Sequence, residues 1–161
     1  MDVNLEFLFT KITDSTVSYW KNTIDISGAK TDPDDIVLQI LENKLKESPE
    51  ILKEDYIVHS TSWRYEEGGN IVLTYLIYSD FMDFGSNEIK TVPFSNMRLA
   101  VSTSHKRPRP ELITEEHVIS HALRHLAFLI KNGNYDDYKR CLSKGTLSKL
   151  RRLKEIPAGE F

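Results

Sequence analysis

Apolar positions recur with two different periods along this chain, and the changes of period mark its elements. Ile36, Val37, Ile40, Leu41 and Leu45 follow the three-to-four spacing of one helix face. That helix carries its own start signal. Asp32 is placed as N-cap, Pro33 at the first helical position, where a missing N–H costs nothing, and Asp34 and Asp35 against the positive end of the helix dipole. Ser48-Pro49 predicts its end, and residues 49–53 a further short turn. Residues 56–65 and 71–78 are rich in β-branched and aromatic side chains and flank Glu66-Glu67-Gly68-Gly69-Asn70, which predicts a hairpin. In its second strand both alternating sets are apolar, as expected of a central strand covered on both faces. Met97, Leu99 and Val101 alternate with Arg98, Ala100 and Ser102 after a Ser-, Asp-, Gly- and Pro-containing loop over 79–96, which predicts a third strand.

Residues 3–12 and 16–26 admit two readings. Leu5, Phe7 and Phe9 suit one face of a hairpin, whereas Val17, Trp20 and Ile24 also suit a helix. His105-Lys106-Arg107-Pro108-Arg109-Pro110 opens an extended connector over 105–113, because each proline restricts itself and the residue before it. A helix over 114–131 follows, with Thr114 as cap, Glu115 and Glu116 in its first turn and Asn132-Gly133 as stop. Its apolar stripe is centred near Leu126. A second helix is predicted from a capping Asn134 through Tyr135, Tyr138 and Leu142 to a break near Gly145, and a third over 147–154. Strands clustered before helices, without βαβ alternation, predict an α+β fold. Its expected form is a mainly antiparallel sheet of three to five strands with a capping helix and a helical C-terminal segment, in two layers and one domain spanning 1–161.

Composition agrees with that picture. A 161-residue chain with 40% hydrophobic residues can build one core without staples, and its seven Gly and six Pro exclude a low-complexity or collagen-like chain. One cysteine excludes an internal disulfide and a Cys-based zinc site, so the reducing cytoplasm is the expected compartment. No apolar run reaches the roughly 18 to 20 residues of a membrane span, so no integral membrane segment is expected. Charge adds what composition hides. Residues 1–97 carry 8 Lys and Arg against 17 Asp and Glu, and residues 98–161 carry 13 against 7, an acidic half followed by a basic one. Either the halves neutralise each other, or the basic half faces a partner.

Three chemistries have candidate residues. His117, His121 and His125 stand at successive i, i+4 positions, on a helix side largely opposite the apolar stripe, as expected of a polar face. Two such histidines can ligate zinc, but the row spans about 12 Å of rise and needs ligands from elsewhere, and it lacks the glutamate of HExxH. His59-Ser60-Thr61-Ser62 resembles one half of the paired His-x-Thr-x signature of two-histidine phosphoesterases. No second copy follows His105, His117, His121 or His125, so the acid–base pair of that chemistry is incomplete. Cys141, beside Lys139 and Arg140, reads as a small packed residue. There is no GxSxG, GxxxxGK[ST] or GxGxxG, and no pattern that calls for a cofactor.

The third chemistry is binding. Seven basic and no acidic residues lie between Lys139 and Lys154, and such charges can neutralise phosphates or an acidic protein face. The leading expectation is a non-enzymatic regulatory or scaffold-type protein engaging an acidic protein or nucleic acid. Lys106, Arg107, Arg109, Lys149, Arg151 and Arg152 would supply the attraction, with Trp63 and Arg64 on a polar-aromatic strand as further contact residues. A metal-assisted hydrolase using the histidine helix and a structural subunit of a larger assembly are the rival readings. Oligomeric state is left open.

Overall fold

The computed structural model describes residues 1–47, 53–103, 106, 109–133, 135–138 and 140–160. Strands β1 (Val3–Thr13) and β2 (Thr16–Asp25) open the chain as an antiparallel hairpin, with Asn4 opposite Asp25 and Thr13 opposite Thr16. This decides between the two N-terminal readings. Leu5, Phe7 and Phe9 are buried on one face of β1 and Leu8 and Ile12 on the other, and a two-residue period with both faces covered favours a strand. Asp14 in the turn takes a φ of 46°, a left-handed conformation that Asp tolerates better than most residues.

Helix α1 (Pro33–Leu45) starts as its sequence predicts, with the Asp32 carboxylate accepting the Asp34 N–H. Residues 48–52, which carry the predicted stop and most of the predicted turn, lie outside the described residues; Lys53 opens a single 3-10 turn, Lys53–Asp55. Strands β3 (Ile57–Tyr65) and β4 (Ile71–Tyr78) form the expected hairpin, and β4 is central. Gly68 and Gly69, at φ +89° and +83°, give its connection a backbone closed to most side chains.

The order β5-β2-β1-β4-β3-β6, with β5 (Lys90–Pro93) and β6 (Gly159–Glu160) at the edges, corrects the sheet prediction. The α+β assignment stands, but the sheet is mixed rather than mainly antiparallel. Each hairpin is antiparallel within itself, yet the two join edge to edge through β1 and β4, which run parallel, as do β3 and β6. The predicted third strand at 97–102 is also corrected. Lys90–Pro93, inside the predicted loop, pairs with Thr16–Tyr19 of β2 instead, whereas Val101 is 74% exposed.

Helix α2 (Glu115–Asn132) matches its prediction to within a residue or two. The next helices do not. Among the described residues only α3 (Tyr135–Tyr138) forms where a longer helix was expected, with the predicted cap Asn134 and Lys139 outside them, and α4 spans Lys144–Leu150 with Gly145 inside it. The start of α4 is imposed from the turn after β4: Asp80 accepts from the Ser143 N–H at 2.5 Å and the Thr146 hydroxyl at 2.9 Å, while Ser143 caps Thr146.

Helices cover both faces of the sheet. Val37 and Leu41 of α1 pack among Leu5, Phe7, Phe9 and Ile77. On the opposite face Ile119, Leu123 and Leu126 of α2 and Leu150 of α4 pack on Leu8, Leu76 and Tyr78. Each such fully buried aliphatic side chain stabilises the fold by about 1.5–3 kcal/mol. Among the described residues no helix is long and apolar enough to cross a membrane.

Candidate functional site

The histidine row does not form the polar face its spacing predicts. His117 completes a capping box, accepting the Thr114 N–H on Nδ1 at 3.1 Å. His121 and His125 are buried, at 7% and 3% exposure. The reason is non-local: the segment after α4 crosses this side of α2. Arg124 donates to the Lys154 carbonyl at 3.0 Å, Ile156 N–H donates to the Arg124 carbonyl at 3.3 Å, and β6 then pairs with Ser62 and Trp63. Under this cover His125 Nε2 lies 3.0 Å from Nδ1 of His59, which reaches across from β3. Burial lowers His121, and burial with the nearby His59 pushes His125 down to about 4. Among the described residues no group of three His, Cys, Asp or Glu side chains can hold a metal, so His117, His121 and His125 are not assembled as a ligand set.

A bulge in β3 decides which side chains reach α2. Ser60 pairs with Tyr75 and Ser62 with Thr74, leaving Thr61 extra. His59, Ser62 and Arg64 consequently share one face; strict alternation would have sent Thr61 and Trp63 there. Arg64 thereby reaches Glu6 of β1 with both guanidinium nitrogens, each at 3.0 Å, and also donates to the Thr74 hydroxyl at 3.1 Å and to Glu66 at 2.9 Å. At 8% exposure Arg64 is a buried structural ion-pair partner, which corrects its assignment to a partner surface. Trp63 is half-buried and meets Tyr65 edge to face at 5.5 Å, and Arg109 lies over the Tyr65 ring at 4.6 Å. Lys106 is exposed, and Arg107 lies outside the described residues.

A second polar cluster joins α2 to the other half of the sheet. Glu115 accepts from Tyr19 at 2.7 Å and from Lys21 and Lys90 at 2.8 Å each. Burial alone would raise this carboxyl, but these donors pull it down to about 2.

The chain matches no family model, no curated protein and no solved structure.

The basic residues of α4 are placed differently from Arg64. Arg151 and Arg152 are exposed and Lys149 is half-buried, and none of the three makes an ion pair among the described residues, whereas Lys21, Lys53, Lys90 and Lys131 are each matched with a carboxylate. Lys149 and Arg152 border a cleft of about 500 Å³ that is also lined by Asp14, Ser15, Thr16, Phe94 and Ser95. Two cations beside hydroxyl donors suit an anionic group, and the Asp14 carboxylate in the same lining opposes it. Lys144 and Lys154 are exposed as well. The signal for this surface was in the sequence. No local signal marked His59 as the partner of His125, because the two are 66 residues apart. Cys141 is 1% exposed, its thiol donates to the Glu54 carbonyl at 3.3 Å, and burial pushes it up to about 11, which suits a packed residue rather than a nucleophile.

Proposed function

We propose that this chain is a non-enzymatic regulatory or scaffold-type binding protein whose basic surface, formed by α4 and the residues after it, engages an acidic protein or nucleic acid. One observation carries the reading: Arg151 and Arg152 stand exposed, and Lys149 half-buried beside them, without an ion pair among the described residues, while Lys21, Lys53, Lys90, Lys131 and Arg64 are each matched with a carboxylate. Internal neutralisation is therefore incomplete on this surface. Unpaired surface cations speed association with anionic partners and, with nucleic acid, release counterions. The buried Glu6–Arg64 pair and the Glu115 cluster hold the framework and leave the α4 cations available.

The test is fluorescence anisotropy of labelled RNA and DNA oligonucleotides and of an acidic peptide against the full chain, at low and near-physiological salt. Arg151→Glu with Arg152→Glu should weaken binding at least about tenfold at low salt, with circular dichroism unchanged. Equal binding by the variant, or no binding of any of the three probes, refutes the reading.

A further inference from the structure

The contact between His59 and His125 has a fixed proton arrangement. Nδ1 of His125 lies 3.2 Å from the Ile156 carbonyl, and Nδ1 of His59 lies 2.8 Å from the Ser60 carbonyl. A carbonyl oxygen only accepts, so both Nδ1 atoms carry hydrogen. His125 Nε2 is then the bare nitrogen, and the single Nδ1–H of His59 is shared between it, at 3.0 Å, and the Ser60 carbonyl, at 2.8 Å. Adding a proton to His125 sets two N–H donors against each other. The opposite tautomer of His59 gives no relief, since it would point a lone pair at the Ser60 carbonyl.

We propose that this contact is an acid-sensitive latch: a proton on His125 releases residues 154–160 from α2 and β3. The segment is what shields His125 from water, and water is what the charged ring requires. The titratable and charged groups on the elements packed here are largely engaged already, Arg64 with Glu6 and Glu66 and Lys131 with Glu155. From β3 they are His59 and Arg64; from α2, His121, Arg124 and Lys131; from the segment, Lys154 and Glu155. Glu155 is engaged by Lys131 and so does not supply a counter-charge. Among the described residues the segment is held besides by Arg124, through the Lys154 carbonyl and the Ile156 N–H, by the Lys131–Glu155 pair, and on β3 by two residue pairs, Ser62 with Gly159 and Trp63 with Glu160, none of which requires His125 to be neutral. Beneath that junction the Ser62 hydroxyl is buried with no hydrogen-bond partner among the described residues, so the covered state already carries an uncompensated polar group.

The direction follows from linkage. His125 sits at about 4 when covered and returns to the ordinary imidazole value of 6.5 when released, so the covered form is favoured at neutral pH and loses ground as pH falls below 6.5. The full difference shifts the equilibrium toward release by up to about 300-fold.

The test uses the full chain labelled with nitrogen-15. Backbone heteronuclear NOEs of Ile156, Gly159 and Glu160, and the imidazole nitrogen shifts of His125, are followed from about pH 7.5 to about pH 4. The NOEs should collapse in step with His125 protonation and persist at low pH in His125→Phe, which keeps a ring beside Phe128. Glu155→Gln should leave the transition in place. Protonation of His125 with the NOEs intact, or collapse while His125 stays neutral, overturns the latch. Loss of the transition in Glu155→Gln does so too, by assigning it to the Lys131 pair. If His125→Phe does not fold, the wild-type titration and Glu155→Gln still decide.

Discussion

Arg64→Met separates a structural role for this arginine from a binding one. Methionine keeps the apolar stem that lies in β3 and deletes the guanidinium, leaving the Glu6 carboxylate at 3% exposure with the Thr74 hydroxyl at 3.0 Å but without its two 3.0 Å guanidinium donors. Breaking one side of a buried ion pair costs about 3–5 kcal/mol. Lys21 lies 3.9 Å from Glu6 and returns part of this, but it already serves Glu115 at 2.8 Å, so a loss of about 3 kcal/mol is expected. Adding Glu6→Gln removes the stranded charge and should recover about 1–2 kcal/mol. The assay is urea unfolding at pH 7 followed by far-ultraviolet circular dichroism, with thermal unfolding in parallel. In a chain of this size the single variant should lower Tm by about 6–12 °C. A loss below about 1 kcal/mol, or a double variant no more stable than the single, would refute the account of Arg64 as a buried, charge-paired residue.

Glu115 yields an acid-side prediction. Its folded carboxyl, at about 2, lies below the ordinary 4.5, so its stabilisation is present above pH 4.5 and is lost as pH falls from 4.5 toward 2. With the side chain 26% exposed, solvent screening reduces the expected loss to about 1–2 kcal/mol, and Glu115→Gln should flatten the stability profile in that window when urea unfolding is repeated at each pH. Cys141 should react with a thiol reagent at pH 8 at least about a hundredfold more slowly in the folded chain than in urea, because the native thiol is both buried and raised to about 11. A rapid native reaction, read from absorbance, would contradict its packing beneath Glu54.

Much of the architecture could be read locally. Asp32 and Pro33 locate the start of α1, Thr114 that of α2, and Gly68-Gly69 the β3–β4 connection, since caps and turns act over a few residues. Apolar Ile71–Tyr78 identified the central strand before its neighbours were known. The site was less legible. A basic run can be seen in any sequence, but not whether its members are paired: Arg64 and Arg152 are alike in type, and one is bound to Glu6 while the other stands exposed. The i, i+4 histidines predicted one helix face correctly and its environment wrongly, because periodicity says which residues share a side and not what covers that side.

By itself, then, the sequence determined where helices and strands begin, which residues share a face, and that charge is divided between the halves. These follow from steric and hydrogen-bonding preferences spanning three or four residues. Only the tertiary structure decided that β1 runs beside β4, that Lys90–Pro93 rather than residues 97–102 becomes a strand, that one bulge aims Arg64 at Glu6, and that residues 154–160 bury His121 and His125. Each depends on which edge or surface a distant segment covers. That choice is set by burial and by backbone groups seeking partners across tens of residues, a competition settled by the whole fold.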